Sequence, residues 1–405
     1  MKIDDKTSHN SPSLRFPEFT GEWEKCKLGT LATKVGSGST PKGGDAVYTS
    51  IGHYFVRSQN VGMGFLMLDN IAHINDDIHQ KHKATEIYEN DVLLNITGAS
   101  IGRTAVATKE LEGGNVNQHV CIIRTNSKVN PKFLCDYIQT QRIQNHIKSL
   151  QTGGSREGLN FEQIRSFPIS LPSINEQNKL TCLLDKINER IATQVRLIDR
   201  LQSLIKGINR TIFTGSGLEY SLCDVCEIRS GYSGNQLQGG KGLGVSRIET
   251  ISAHNINLER IGYVAPFDAS ENYRLQVGDI LFSNINSVEY IGNTAFIDKD
   301  YNLYHGMNLL RLIPFRNVVV PFYLYILLNT NRMLKHFKTI CNKAVSQASI
   351  NQKELGKTIV MLPSLEKQQQ VCNIYQAMYS KLKTEKDVLS FYQEQKRYLL
   401  RHMFI

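Results

Sequence analysis

Between residues 171 and 213 the apolar positions step by alternating threes and fours: Leu180, Leu184, Ile187, Ile191, Ile198, Leu201, Ile205, Ile208 and Ile212, with one polar interruption at Gln194. That spacing is a heptad seam and predicts a single long helix, roughly 60 Å for about 40 residues. Residues 362–404 repeat the pattern at a constant offset of 191, Leu171 answering to Leu362: Val371, Tyr375, Met378, Leu382, Leu389, Tyr392, Lys396, Leu399 and Met403 take the seam positions, and Glu385 stands where Gln194 stands. Two unrelated helices would not share that interruption. A polar seam residue costs stability but can fix register, so Gln194 and Glu385 form a candidate register pair. Both stretches open on Leu-Pro-Ser. Proline stops what precedes it, and serine can cap a new helix.

The text between the helices is also duplicated. Residues 28–163 mix short alternating apolar runs (AHINDDI, DVLLNIT, TAVAT, HVCIIRT) with Gly-rich turns, which predicts a strand-rich domain. One helix is expected from Pro131 to about Leu150, where Phe133, Leu134, Tyr137, Ile138, Ile143 and Ile147 recur at helical spacing. About 190 residues later the same skeleton returns: GDILFSN answers NDVLLNI, IGNTAF answers IGRTAV, NLLR answers CIIR, and VPFYLYILLNTNRMLKHFK answers NPKFLCDYIQTQRIQNHIK. The expected fold is therefore α+β and internally duplicated with pseudo-two-fold character: two tandem strand-rich domains, each followed by a long helix, the helices packing as an antiparallel coiled coil. The boundaries read as 1–22 for a tail and leading arm, with residues 1–13 disordered, then 23–172 (domain one), 173–213 (central helix), 214–363 (domain two) and 364–405 (C-terminal helix). Apolar skeletons agree between the copies while polar loops differ, as when one scaffold presents two surfaces.

Composition narrows the partner. No run of eighteen apolar residues exists and the N-terminus is polar, which predicts neither a membrane span nor a signal peptide, and a cytoplasmic protein. The eight cysteines follow no framework, and the close pair Cys223 and Cys226 lacks the second pair of a zinc site, so reduced, packed thiols and no metal are expected. A net charge of +10 points to a polyanion. Each long helix carries seven Lys and Arg against four Asp and Glu, so six of the ten excess charges lie there.

Catalytic signatures are missing. The glycines at 36, 38, 43 and 44 make no GxGxxG, no P-loop exists, NITG at 95–98 lacks the prolines and aromatic of an amino-methyltransferase motif, and no HExxH or GxSxG occurs. Residues able to meet base edges or phosphates instead collect in the predicted loops. They are Arg57, Gln59, Asn60, Asn95, Thr97, Arg103, Asn117, Gln118, His119 and Arg156 in domain one, and Arg247, Glu249, Asn284, Asn286, Tyr290, Asn293, His305 and Asn308 in domain two, with Glu289 and Met307 beside them. Any one of these could equally be a turn residue satisfying backbone groups. As a set at matching places in two repeats, they favour contact with nucleic acid.

The opening LRFPEFTGEWE, then NITGASIGRTAV, NQHVCIIR, GGSREGLNF and the doubled LPSINEQ and LPSLEKQ, in the order domain, helix, domain, helix, resemble the specificity subunit of a type I restriction-modification system. The resemblance covers nearly the whole chain. It implies two target recognition domains reading a bipartite, asymmetric site on double-stranded DNA, an antiparallel helical spacer, and docking of two modification subunits and of restriction subunits. It also implies that this chain binds no cofactor and catalyses nothing, while the partners methylate adenine and cleave with S-adenosylmethionine, ATP and Mg²⁺. Two readings of other classes stand beside it: a coiled-coil scaffold with sequence-independent DNA binding, and an intrinsic methyltransferase or nuclease, which the missing motifs oppose.

Overall fold

The apolar runs fold into two copies of one sheet-and-helix framework. The structure is a computed structural model describing residues 10–151, 158–212, 217–238, 240–252, 255–343 and 347–405. One compact unit gathers the residues up to Val195 together with Asp387–Ile405; the other is Arg196–Lys386.

In unit one, β1 (Glu24–Lys27) is joined antiparallel by β6 (Pro168–Leu171), with Glu24 opposite Leu171. Between them in sequence lie β2 (Ala32–Ser37), β3 (Val92–Asn95), β4 (Thr104–Val106) and β5 (Val120–Thr125), an antiparallel sheet ordered β2-β5-β3-β4. A smaller sheet sets His53–Val56 between Ala72–Ile74 and Asn115–Val116. Strand β3 is buried on both faces. Val92 and Leu94 share a core with Phe133 and Leu134, whereas Leu93 packs with Val56, Val116 and Ile122 in a second core. A strand covered on both sides reads as a continuous apolar run, which is why DVLLNI does not alternate.

The helix expected to run from Pro131 to about Leu150 is two helices, α1 (Pro131–Gln139) and a second over Gln141–Gln151. Thr140 divides them. Its backbone is extended, and its hydroxyl donates to the Tyr137 carbonyl at 2.7 Å while facing the Ile143 N–H, so it ends one helix and starts the next. Thr330 does the same in the second copy, donating to the Leu327 carbonyl at 2.8 Å and capping Met333 N–H.

Unit two repeats the plan. Strands β7 (Leu218–Ser221) and β12 (Ile359–Leu362) pair antiparallel, and β8 (Cys226–Ser230), β9 (Ile280–Phe282), β10 (Thr294–Phe296) and β11 (Leu310–Pro314) form a sheet ordered β8-β11-β9-β10. Each sheet holds the same buried ion pair. Arg124 forks onto Asp91 through two 2.8 Å hydrogen bonds, and Arg311 meets Asp279 at 2.6 Å. Each carboxylate also accepts a backbone N–H, from Tyr88 and from Gln276, so neither carboxylate depends on its arginine alone.

The long helices are α2 (Ile174–Ile212) and α4 (Leu365–His402), with α3 (Pro321–Leu328) the counterpart of α1. Serine caps both starts: Ser173 accepts from Glu176 N–H and Ser364 from Lys367 N–H, each at 3.4 Å. The described seam positions, Ile212 aside, are buried or half-buried, while off-seam Leu197, Leu204, Ile374, Phe391 and Tyr398 are exposed. In unit one, Leu180, Leu184 and Ile187 of α2 share a core with Leu399 and Met403 of α4, and the Arg190 guanidinium lies over Tyr392; in unit two, Ile205 shares a core with Val371 and Tyr375. Gln194 is buried in unit one and Glu385 in unit two, where Lys381 pairs with it at 2.5 Å from one turn away.

The leading arm is tied into unit one, and its order begins earlier than expected. Asn10 donates to the Trp23 carbonyl, Ser13 and Leu14 bond His402, and Arg15 forks onto Glu176 at 2.7 and 2.8 Å. Trp23 is buried edge-on against Phe133 and Phe404. Residues 10–13 therefore belong to the fold and not to a disordered tail.

A buried glutamine joins each domain to its helix. Gln177 accepts the Asn130 N–H at 2.8 Å and donates to the Lys128 and Pro172 carbonyls; Gln368 accepts the Val320 N–H at 2.8 Å and donates to the Val318 and Pro363 carbonyls. Truncating either leaves three buried backbone groups without partners, at about 1–3 kcal/mol each where water cannot replace the bond. Gln177→Ala is expected to raise amide hydrogen exchange around residues 128–140 and 170–180 by tenfold or more and leave unit two unchanged, with Gln368→Ala doing the reverse. Unaltered exchange in both variants would show that the glutamines carry no such weight.

Candidate nucleic-acid interface

At one end of the unit-one sheet three loops meet. The loop after β2 approaches so closely that a Cβ on Gly38 would sit 1.6 Å from the Val116 carbonyl oxygen, and Gly38 N–H donates to the Asn117 carbonyl at 3.2 Å. Only glycine fits there. The loops after β3 and before β5 join it: Ile96 N–H donates to the His119 carbonyl at 3.0 Å, and the Thr97 hydroxyl and His119 Nδ1 lie 2.5 Å apart. Gln118 contacts both Thr40 and His119 Nε2. Gly158 bridges back to Thr97. The same device recurs in unit two, where a Cβ on Gly231 would meet the Gly306 carbonyl oxygen at 1.8 Å and Tyr232 N–H donates to the His305 carbonyl at 2.9 Å.

The polar residues chosen from the sequence separate into loop formers and exposed groups. Asn95 is fully buried and donates to the Ser58 carbonyl at 2.8 Å; Asn60 accepts Arg57 N–H and donates to the Met67 carbonyl; Asn117 accepts His119 N–H. In unit two, Asn284 donates to the Ile350 carbonyl, Asn286 bonds Ser283 and Ser287 N–H, and Asn293 is buried. These side chains give the loops their shape. His305 is 1% exposed with Nε2 2.9 Å from the Leu309 carbonyl, as a neutral ring donating from that nitrogen would be.

Solvent meets Gln59, Arg103 and Gln118 in unit one, and Arg247, Glu249, Glu289, Tyr290, Met307 and Asn308 in unit two; Arg57, Thr97 and His119 are half-buried. Arg57 rests over the Tyr48 ring, and Arg247 sits 3.6 Å from Glu249. Arg156 lies outside the described residues. Asn308 holds a left-handed backbone with φ of 66°, a conformation asparagine tolerates better than most residues. Sequence reading missed Ser39, bonded to His82, and Thr40, bonded to Gln118, and an aromatic stack in unit two, where Tyr232 lies flat on Phe267 at 3.6 Å with Tyr273 edge-on. The signal was present in the Ser-Gly shared by VGSGST and IRSGYS, which marks the start of the same loop in both copies.

Among the described residues no group of three or more His, Cys, Asp or Glu side chains converges as a metal site would, no helix is long and apolar enough to cross a membrane, and the eight cysteines are unpaired. One framework used twice, with different side chains at matching loop ends, defines a two-headed recognition protein. The sequence model of the type I restriction modification DNA specificity domain matches twice, over residues 20–203 and 218–390. The chain therefore belongs to that family and carries two copies of its domain. It is 38% identical over 187 residues to the provisionally named MjaX specificity subunit of a type I restriction enzyme from Methanocaldococcus jannaschii, spanning 45% of this chain and 44% of that one. To the EcoBI specificity subunit from Escherichia coli it is 24% identical over 167 residues, 40% of this chain and 34% of the other. Each alignment thus covers less than half of the curated relative. The fold matches the crystal structure of a type I restriction-modification S subunit from M. genitalium at a TM-score of 0.62 and 16% identity, covering 98% of this chain and 99% of that one. A structure from a study of type I system assembly matches at 0.58 and 19% identity, over 93% and 96%.

Two predictions separate the classes of side chain. Asn95→Ala strands the Ser58 carbonyl and is expected to destabilise unit one by about 1–3 kcal/mol, whereas Gln118→Ala should fall within about 0.5 kcal/mol of the parent; urea unfolding followed by exchange mass spectrometry reads both. Burial, with Arg311 nearby, pushes the His305 imidazole from 6.5 down to about 4. The folded state refuses a proton that the unfolded chain accepts, so this contribution is full above about pH 6.5 and is lost as pH falls toward 4, on the order of 2–3 kcal/mol. Relative to His305→Gln, the parent should lose stability over that window; parallel pH profiles would contradict the burial argument.

Proposed function

We propose that this chain is the DNA-reading subunit of a type I restriction-modification complex, acting in the cytoplasm and binding a bipartite, asymmetric site with one half-site per domain. The observation that carries the reading is the duplication with divergence: the sheet order, the buried ion pair and the glutamine joint are the same twice, while the loop ends differ. The exposed groups Gln59, Arg103 and Gln118, and Arg247, Glu249, Tyr290 and Asn308, are the candidates for base and phosphate contact, with half-buried Thr97 and His119 added, and Arg156 a candidate on its sequence alone. Arginine forks onto guanine, glutamine and asparagine suit adenine, and a carboxylate accepts from cytosine. The long basic helices act as an antiparallel coiled-coil spacer that sets the half-site separation and adds salt-dependent attraction without reading sequence. Gln194 and Glu385 fix its register.

This chain supplies no catalytic step. Two modification subunits dock on it and methylate adenine N6 with S-adenosylmethionine, and restriction subunits add ATP- and Mg²⁺-dependent translocation and cleavage. Single-molecule sequencing of N6-methyladenine in cells carrying this chain and its modification partner, against cells lacking only this chain, should reveal a bipartite motif with one adenine marked on each strand. Exchanging residues 23–170 for the matching domain of a relative should alter one half of that motif and leave the other intact. No chain-dependent motif, with the partner proven active beside another specificity chain, would leave the scaffold reading in its place.

A further inference from the structure

Each unit carries a cleft at the same point of the repeat, and the two are lined by different chemistry. In unit one a cleft of about 600 Å³ opens between Val106 of β4, Lys132, Asp136 and Gln139 of α1, and Asp185 and Asn188 of α2. In unit two one of about 670 Å³ opens between Phe296 of β10, Phe322 and Tyr325 of α3, Asn329, and Tyr379 of α4. The sequence repeat places Val106 on Phe296, Lys132 on Phe322, Gln139 on Asn329 and Asn188 on Tyr379. The location is shared; the lining has diverged.

In unit one the lining is acidic, within a chain of net charge +10. Asp136 is only 5% exposed yet faces the cleft, where the second copy has Ile326. Gln139 Nε2 donates to Asp136 Oδ1 at 3.2 Å, and Lys396 of α4 donates to Gln139 Oε1 at 3.0 Å. Burial pushes this carboxyl up to about 7, with Lys396 acting against the rise. Lys132 is engaged by Asp185 at 2.6 Å, and Glu89, Lys109, Glu110 and the exposed ring of Phe65 also line the cleft, which sets four carboxyl side chains against two lysines. In unit two the lining is aromatic. The Phe296 ring centroid lies 5.3 Å from Phe322 and 5.7 Å from Tyr325, Tyr379 is 42% exposed, and Asp298 and Lys383 supply one charge of each sign to the lining.

Two copies of one partner would offer the same side chain to both clefts. An apolar side chain would strand Asp136 in a drier site, and a carboxylate would be repelled by it. Lysine suits the acid but is a strongly hydrated point charge. A guanidinium serves both linings, forking onto a carboxylate in one and stacking on aromatic faces in the other. Resting on the two-partner reading above, we propose that the clefts are sockets for an arginine side chain of the modification subunit, one copy per unit. Salt screens the attraction of the exposed Glu89 and Glu110 for a guanidinium, and aromatic stacking is screened much less, so the acidic socket releases its partner first as ionic strength rises. The two copies therefore bind with unequal salt dependence, and a one-to-one complex appears between the full assembly and the free chain.

Native mass spectrometry and sedimentation of the full chain with its modification subunit, from low to moderate salt, test this. The parent should form two-to-one complexes at low salt and one-to-one complexes as salt rises. Phe322→Leu combined with Tyr379→Leu should weaken one docking step tenfold or more and leave the salt-sensitive one, while Asp136→Asn should weaken the salt-sensitive step alone. Tyr379→Phe keeps the ring and should assemble like the parent, which guards against mere loss of folding. A photo-crosslinking residue at position 379 should capture a partner segment containing arginine, whose replacement by lysine should weaken the aromatic step. Equal salt dependence of the two steps, unchanged assembly of the Leu and Asn variants, or capture of a segment without arginine would overturn the sockets while leaving the DNA-reading function standing. Failure of the parent chain to bind any modification subunit would remove both.

Discussion

In each unit a side-chain amide joins the domain to its long helix. The first turn of each long helix and the loop before the first helix of the domain are separate pieces of backbone with polar groups turned inward, and a buried polar group must be paired. Gln177 and Gln368 pair them, each bonding one N–H and two carbonyls from both sides of the junction. Glutamate could not do this, having no donor when ionised, and asparagine is one methylene short. With that joint fixed, the Leu-Pro-Ser turn and the serine cap can set only the start of the helix, whereas the glutamine also sets the direction from which the sheet meets it. A domain built this way transmits its orientation to the helix through hydrogen bonds of defined geometry, which apolar packing alone does not specify.

The same logic orders the sheets. Arg124 with Asp91 and Arg311 with Asp279 place a charge pair in the interior of each domain, where removing one partner is far more damaging than the pair is stabilising. Both partners must therefore stay or change together, and after duplication both copies hold the pair. Loop ends face no such constraint. The glycine at the close approach, Gly38 or Gly231, is dictated by a neighbouring carbonyl, but the next position is free to differ, and where one copy has Ser39 the other has Tyr232 stacked on Phe267. A recognition protein needs this division: an interior that tolerates little and a rim that tolerates almost anything.

The helices were legible in the sequence because a heptad seam is a statement about burial, and burial is what the structure contains: seam residues are covered and Leu204 or Phe391 between them are not. The duplication was legible for the same reason, since apolar skeletons record cores. The candidate site was less so. Asn95, Asn117 and His305 look like contact residues because they are polar and sit in loops, yet each is spent on a backbone group of its own unit. Polarity in a sequence does not say whether the partner is inside or outside the fold. The split of the expected helix at Thr140 was hidden differently: the apolar period runs unbroken across it, and only the hydroxyl that serves both helix ends gives it away.

Those two kinds of side chain explain how one ancestral domain could become two that differ. A position committed to its own backbone, such as Asn95, leaves a buried group unpaired when it changes alone. A position facing a cleft or the solvent strands no buried backbone group when it changes. The step from a Val106, Lys132 and Asn188 lining to one of Phe296, Phe322 and Tyr379 needed no rearrangement of strand order or helix start, because in both copies the lining hangs from the same three elements. Buried Asp136 is the exception that gives the acidic cleft its character. Its carboxyl remains tolerable there because Gln139 donates to it and Lys396, at a seam position of the C-terminal helix, holds that amide in turn. The polar residue that breaks the apolar rule of the seam is thus accounted for by a group in the domain, and the helix and the domain constrain each other in both directions.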